Sequence, residues 1–281
     1  MTSSFIYDAA FVRSVFHPSD FSAASENAFA HALAIAFLRS TKLTILHAGG
    51  STKDWRLFPP VRQTLERWGL LEEGTRQNQV FEELSVRVKK VKVRGDNPVP
   101  ATLKYLAEHP TDLIVLATEG RDGLQKWLKP SMAERIALKS ETKTLFVPNK
   151  ARGFVSRSNG EITLNRILVP VASHPSPLPA LEYAARAAQF TGDETAIRLF
   201  YVGEAADMPV MSMPETPGVR LEIESRPGDI VTEILAEAGK SVDLIVMSTA
   251  GHEGFLDALR GSVTEQVLRH CPCPLLAVPT T

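Results

Sequence analysis

The chain is poor in the features that mark several large protein classes. It has only two cysteines in 281 residues, so no disulfide framework is predicted. Its 31 lysines and arginines nearly balance 32 aspartates and glutamates, which argues against a nucleic-acid-binding protein and a polybasic membrane binder. The longest apolar run, residues 28–38, is far shorter than the roughly 18 residues that a membrane span needs. No secretory signal pattern opens the sequence, so we expect a cytoplasmic protein without membrane or nucleic-acid partners.

What the sequence does contain is an internal repeat. The segment from Thr111, TDLIVLATEGRDGLQKWLKPSMAERI, aligns without a gap with the segment from Val242, VDLIVMSTAGHEGFLDALRGSVTEQV. Asp112 pairs with Asp243, and the offset of 131 residues holds along both segments. The earlier parts repeat more loosely, and the first copy carries about twenty extra residues around DWRLFPPVRQTLERWGLLEEG. The chain is therefore a duplication with one insertion.

Each copy alternates short Val/Ile/Leu runs with segments of helical period. LTILHA and DLIVLAT predict strands, whereas SENAFAHALAIAFLRS and PVPATLKYLAEH predict helices. Apolar strands separated by helices indicate a parallel sheet that is covered on both faces. We therefore predict an α/β fold with two tandem, doubly wound, five-stranded parallel-sheet domains over residues 1–150 and 165–281. Residues 151–164 are predicted to link them, with Asn159-Gly160 as the turn of a hairpin.

A glycine-containing loop follows the DLIV strand of each copy and precedes a predicted helix. In the second copy the loop holds Gly251, Gly254 and Gly261, and Ser262 follows directly. Ligands of open α/β sheets bind beyond the carboxyl ends of the strands, where glycine lets backbone N–H groups approach an anion. A structural interpretation is equally available, because Ser262 and Glu265 form an S-x-x-E capping box that starts a helix without a ligand. The first copy has the same box.

Several motifs together resemble the universal stress protein family. They are PSD after the first strand, LTILH on the second, G-x-x-G after DLIV and, most specifically, GSVTEQVLRHCPCPLLAVP at the C-terminal end. The resemblance covers most of the chain outside the insertion and the linker, and it implies a tandem member with an adenine-nucleotide α-hydrolase-like fold. It further implies a regulatory or stress-response role and an intramolecular pseudo-dimer with the last strands, TLFVP and LLAVP, near the interface. Association of two chains into a homodimer stays open.

Many members of this family bind ATP or AMP and others do not, so the resemblance also implies candidate nucleotide contacts. In the second copy these are Gly251, Gly254, Gly261, Ser262, Val263, Pro170 and Val202. In the first copy a weaker set consists of Asp20, Pro18, Ala48, Gly120, Gly123 and Ser131.

Neither copy keeps the family pattern, G-x2-G-x9-G-S/T with an aspartate after the first strand, in full. In the second copy only six residues separate Gly254 from Gly261, and Ala172 stands opposite Asp20. In the first copy Pro130 replaces the third glycine and removes one backbone N–H donor. The second copy therefore keeps the phosphate end of the site, and the first keeps the carboxylate end.

Three interpretations of the function stay open from these residues. In the first, the second domain binds adenine nucleotide weakly. In the second, neither half binds a nucleotide and the chain is an interaction module for an unidentified protein. In the third, a different anion or small ligand binds the shortened loop. The rival class is a slow ATP hydrolase, for which only His252 and Glu253 offer a general base beside the loop. His270, Cys271 and Cys273 provide too few ligands for a metal centre, so we predict neither catalytic residues nor a metal.

Other residues near the predicted strand ends have structural alternatives. Asp20 is suited to cap the helix that begins after Ser22. His17 is interpreted as a satisfied strand residue, and His47 as a residue that lines the adenine side. The basic run VRVKKVKVRG predicts a half-exposed strand near a sheet edge, where lysine discourages aggregation.

Overall fold

The fold is taken from a computed structural model of the chain. It describes residues 12–48, 55–76, 84–94, 97–118, 132–149, 151–189, 194–211, 216–250 and 262–280. The strands in these ranges are β1 Ser14–Pro18, β2 Lys42–Ala48, β3 Arg87–Val93, β4 Leu113–Thr118, β5 Thr144–Pro148, β6 Arg166–Val171, β7 Thr195–Val202, β8 Val219–Arg226, β9 Leu244–Ala250 and β10 Leu275–Thr280. The α-helices are α1 Ala23–Leu38, α2 Val61–Arg67, α3 Pro98–Glu108, α4 Met132–Ser140, α5 Leu178–Ala188, α6 Ile230–Ala238 and α7 Val263–His270. Among the residues so described, no helix is both long enough and apolar enough to cross a membrane.

The strands form one continuous sheet in the order β3-β2-β1-β4-β5-β10-β9-β6-β7-β8. Within each half all strand pairs are parallel, which confirms the predicted α/β fold with two doubly wound, five-stranded units. The halves join through β5 and β10, which pair antiparallel with Leu145 opposite Leu276. The prediction that the last strands lie at the interface is therefore confirmed. Strand β3, which contains the basic run, is an outer edge of the sheet, as predicted.

The central strands are buried on both faces of the sheet, as expected for parallel strands with near-continuous apolar runs, whereas the edge strands β3 and β8 are polar and partly exposed. Val15 and Phe16 are neighbours on β1 and each is 1% exposed, yet their side chains enter different core clusters. The first cluster lies under α1, α2 and α5, and the second under α3, α4, α6 and α7. We call these two sides of the sheet the α1/α5 face and the α4/α7 face.

The aspartate of the DLIV motif has the same structural role in both copies. The Asp112 carboxylate accepts a hydrogen bond from the backbone N–H of Arg13 and one from the hydroxyl of Ser14, each at 3.0 Å. Asp243, which is 3% exposed, accepts two backbone N–H groups at the start of β6, at 2.8 and 3.0 Å, and forms an ion pair with Arg152. Each aspartate thus ties the amino end of its own strand to the neighbouring central strand.

The predicted linker forms a hairpin, and the hairpin packs into the first half. Val155 and Ile162 form an antiparallel bridge, and the loop between Ser156 and Glu161 is four residues long instead of two. Phe154 is buried, with its ring edge against the ring of His31 on α1 at a centroid distance of 4.6 Å. This segment therefore contributes to the core, while the domain limits at 150 and 165 stay a prediction.

The insertion of the first copy covers the outer strands on the α1/α5 face. It contains α2 and, directly after this helix, Trp68, which is 7% exposed. The indole N–H of Trp68 donates a hydrogen bond of 3.2 Å to the Arg157 carbonyl in the hairpin. The two segments that interrupt the repeat therefore pack against each other.

Candidate functional site

The carboxyl ends of β6 and β9 border a crevice in the second half. These two strands pair at only two positions near their amino ends, Ile167 with Leu244 and Leu168 with Ile245. Beyond Leu168 the chains separate, with β7 on one side of β6 and β10 on the far side of β9. Such a switch in strand order is where open α/β sheets bind ligands. The first half has the same short pairing between β1 and β4.

Four residues predicted for the second site lie on β6, on β7 and at the start of α7, in this half of the chain. Val202 at the end of β7 and Val263 at the start of α7 pack against the same core cluster on the α4/α7 face. Pro170 on β6 points to that face, because side chains alternate along a strand and Leu168 belongs to the cluster. Ser262 is the N-cap of α7, and its hydroxyl accepts the Glu265 N–H at 3.2 Å. The predicted cap is confirmed.

Six residues of the predicted loops lie outside the part of the chain that the structure describes. Gly251, Gly254 and Gly261 of the second copy lie outside the described residues, and so do Gly120, Gly123 and Ser131 of the first. His252 and Glu253, the two candidates for a general base, also lie outside them. Their predicted roles stay predictions.

One polar residue at the crevice was missed from the sequence. The Thr249 side chain lies on the α4/α7 face, because Met247, two residues earlier on β9, packs in the cluster of that face. Thr249 is 3% exposed, and its hydroxyl has no hydrogen-bond partner within the described part of the chain. The available signal was a hydroxyl two residues before the first loop glycine, on a strand that begins with four apolar residues.

A second missed residue is Arg226, at the carboxyl end of β8. It is in register with Val202, and its guanidinium lies 5.3 Å from the ring centroid of Phe200. Hydrogen bonds to the carboxylates of Glu233, at 3.2 Å, and Glu224 raise the pKa of Arg226 above its usual value, with a further contribution from Glu237. The cation at this edge is thus neutralised by acids of its own half.

In the first half, the residue expected to contact a nucleoside is engaged locally. Pro18 points to the α4/α7 face by alternation from Phe16, and Ala48 packs against that face's cluster. The exposed Asp20 carboxylate accepts the backbone N–H of Ser22 at 2.9 Å and its hydroxyl at 2.6 Å. Ser22 is itself the N-cap of α1. Asp20 therefore supports the start of the helix through the cap residue.

The two histidines near this edge are packed within the fold. His17 is fully buried, its Nδ1 lies 3.0 Å from the Val115 carbonyl oxygen, and burial lowers its pKa to about 4. It is a neutral, satisfied strand residue, as predicted. His47 stacks on Phe21 at a centroid distance of 4.0 Å, on the face opposite to Ala48. The interpretation that His47 lines the adenine side stays a prediction.

The two cysteines behave as small apolar residues. Cys271 and Cys273 are buried in the cluster of the α4/α7 face, and burial raises the pKa of the Cys271 thiol to about 12. A protonated thiol is a poor metal ligand. Across the described ranges, no group of three or more His, Cys, Asp or Glu side chains could hold a metal ion.

Comparisons with known proteins agree with this architecture. The model of the universal stress protein family matches residues 12–148 and 213–279. The chain belongs to this family. Universal stress protein MJ0531 of Methanocaldococcus jannaschii is 30% identical over 144 residues, which span 43% of this chain and 85% of that protein.

Two solved structures resemble the whole tandem chain. A universal stress protein from Archaeoglobus fulgidus DSM 4304 has a TM-score of 0.63 at 19% identity, covering 95% of this chain and 98% of that one. The functionally unknown protein PA1789 from Pseudomonas aeruginosa PAO1 has a TM-score of 0.60 at 14% identity, with 96% and 94% covered. The tandem universal stress protein fold implied by the sequence motifs is thus confirmed.

Proposed function

We propose that this universal stress protein is a regulatory protein whose second half binds an adenine nucleotide, ATP or AMP, between the carboxyl ends of β6 and β9. The observation that carries the proposal is the Thr249 hydroxyl, which is buried on the crevice side without a partner among the described residues. A buried hydroxyl without a partner costs about 1–3 kcal/mol. An oxygen or nitrogen atom of a bound nucleotide would supply the missing hydrogen bond.

The surroundings of Thr249 suit the two ends of a nucleotide. Val202, Val263 and Pro170 give an apolar wall on which a base can pack. The amino end of α7, capped by Ser262, presents its partial positive charge near the predicted phosphate loop. Both features lie on the face to which Thr249 points.

The first half is less suited to the same ligand. Its carboxylate, Asp20, accepts two hydrogen bonds from Ser22 and serves the start of α1. Pro130 removes one N–H donor from its predicted phosphate loop. We therefore place nucleotide binding mainly in the second half and expect regulation through binding instead of catalysis.

The Thr249→Val substitution tests this site, because valine keeps the shape of threonine without its hydroxyl. We expect the Kd for ATP or AMP to rise about tenfold or more, as for loss of one hydrogen bond to a charged group. The stability of the ligand-free protein should not fall, since the hydroxyl has no partner to lose among the described residues. Calorimetric titration and chemical denaturation measure the two quantities.

The matched control is Thr118→Val, the same change at the corresponding position of the first copy. This variant should bind nucleotide like the unaltered protein. An equal loss of affinity in both variants would contradict the assignment to the second half.

If no nucleotide is released on denaturing the purified protein, and if calorimetric titration with ATP and AMP gives no heat, the protein-interaction interpretation replaces the proposal.

A further inference from the structure

A separate cavity, here called the seam cavity, lies between the two halves on the α1/α5 face. Helix α1 packs across β4 and β5, and α5 packs across β9 and β10, so the two helices flank the antiparallel pair that joins the halves. Between them remains a cavity of about 100 Å³. Its lining includes Leu145 of β5, Leu276 of β10, Ile35 of α1, Ala187 of α5 and Phe154 of the hairpin.

The interior of the seam cavity is apolar. Its wall consists almost entirely of apolar atoms, and Leu145, Leu276 and Phe154 are 3%, 8% and 7% exposed. Water is poorly held in such a space, because it would find no polar partners. A larger apolar cavity, of about 150 Å³, stays dry and binds benzene. The seam cavity is smaller than that, so it has room for at most one small ring.

The rim of the cavity carries a cation that faces a neutral partner. The Lys143 ammonium donates a hydrogen bond of 2.6 Å to the Tyr183 hydroxyl and lies 4.8 Å from the centroid of the same ring. No carboxylate within the described ranges forms an ion pair with Lys143. Asp112 also lines the cavity, and its carboxylate accepts the backbone N–H of Arg13 and the hydroxyl of Ser14. The Lys143 ammonium, which has no carboxylate partner within the described ranges, is therefore the point at which an anionic group can bind.

We propose that the seam cavity binds a small aromatic monocarboxylate. Its ring occupies the apolar interior, and its carboxylate accepts a hydrogen bond from the Lys143 ammonium beside the Tyr183 hydroxyl. Because Leu145 belongs to one half and Leu276 to the other, the ligand contacts both halves at their junction. Binding to the folded form alone stabilises the joined arrangement. This site is independent of the proposed nucleotide site, which lies on the opposite face.

Benzoate and toluene are the probes for this site, because they differ only in the anionic group. Calorimetric titration of the full chain should show benzoate binding that weakens about tenfold in Lys143→Gln, as for loss of one charged partner. Lys139→Gln, the same change at an exposed position of α4, should bind benzoate like the unaltered protein. Toluene binding should be equal in the unaltered protein and in Lys143→Gln.

A second variant tests the cavity itself. Ala187→Leu places a larger side chain in the space and should abolish binding of both probes. If this variant fails to fold, Ile35→Phe provides a second filling, and fluorine NMR of 4-fluorobenzoate reports binding in the unaltered chain. Absence of binding by both probes overturns the site, and benzoate affinity that is unchanged in Lys143→Gln overturns the role of the cation. Thr249→Val, which tests the nucleotide site, should leave benzoate binding intact.

Discussion

Replacing Glu237 by alanine is expected to lower the free energy of unfolding by about 2 kcal/mol, because three partly exposed cations lose the buried carboxylate to which they donate hydrogen bonds. Glu237 lies on α6 and is 0% exposed. Its carboxylate accepts hydrogen bonds from Lys240 at 2.8 Å, from Arg226 at 3.2 Å and from Arg198. Urea denaturation at pH 7 measures the loss.

The control for this change is Glu182→Ala, on an exposed position of α5. Both glutamates lie within helices and both variants gain the helix propensity of alanine, so the comparison isolates the ion-pair network. Glu182→Ala should change the stability by no more than about 0.5 kcal/mol. Equal effects of the two substitutions would show that the network contributes nothing measurable.

The stabilisation by Glu237 depends on pH in a defined direction. Burial raises its pKa, but hydrogen bonds from Lys240 and Arg198 outweigh this effect and hold the pKa below its usual value. The contribution is therefore complete above the unfolded pKa of about 4.3 and is lost as the pH falls through the lower folded value. The difference in stability between the unaltered protein and Glu237→Gln should accordingly narrow as the pH falls below about 4.3.

The fold was predictable because its determinants are local and occur in both copies of the repeat. The apolar runs around Leu113 and Leu244 specify buried parallel strands in either copy. The serine-glutamate spacing at Ser262 specifies a helix start, and its cap has the expected hydrogen bond. The joining of the halves through β5 and β10 was predicted only through the resemblance to the family.

The contacts that interrupt the repeat were not predictable from the sequence. Trp68 and the hairpin are 89 positions apart along the chain, and nothing in either segment indicates its partner.

The candidate site was predictable only in part, for a similar reason. Pro170, Val202 and Val263 follow from the family pattern, whereas Thr249 becomes notable only once its burial and the lack of a partner in the described part of the chain are known.

The docking of the hairpin on Trp68 can be tested at Gly160. A Cβ atom at this position would lie 2.5 Å from the Trp68 ring, and the φ of Gly160 is 73°, in the left-handed region. Gly160→Ala should therefore lower the free energy of unfolding by about 3 kcal/mol, from backbone strain of about 1–2 kcal/mol and overpacking of about 1–3 kcal/mol. Chemical denaturation followed by circular dichroism measures this loss.

Gly69 separates the two causes, because it has nearly the same backbone conformation without the neighbour. Its φ is 70°, and a Cβ atom there would meet nothing within 4 Å. Gly69→Ala should therefore show the strain alone, a loss of about 1 kcal/mol. A larger loss for Gly160→Ala means that the hairpin belongs to the packed core of the first half. If both variants lose the same free energy of unfolding, crowding against the Trp68 ring, which is 7% exposed, has no effect on stability. The segment between the copies would then link the halves without contributing to the core.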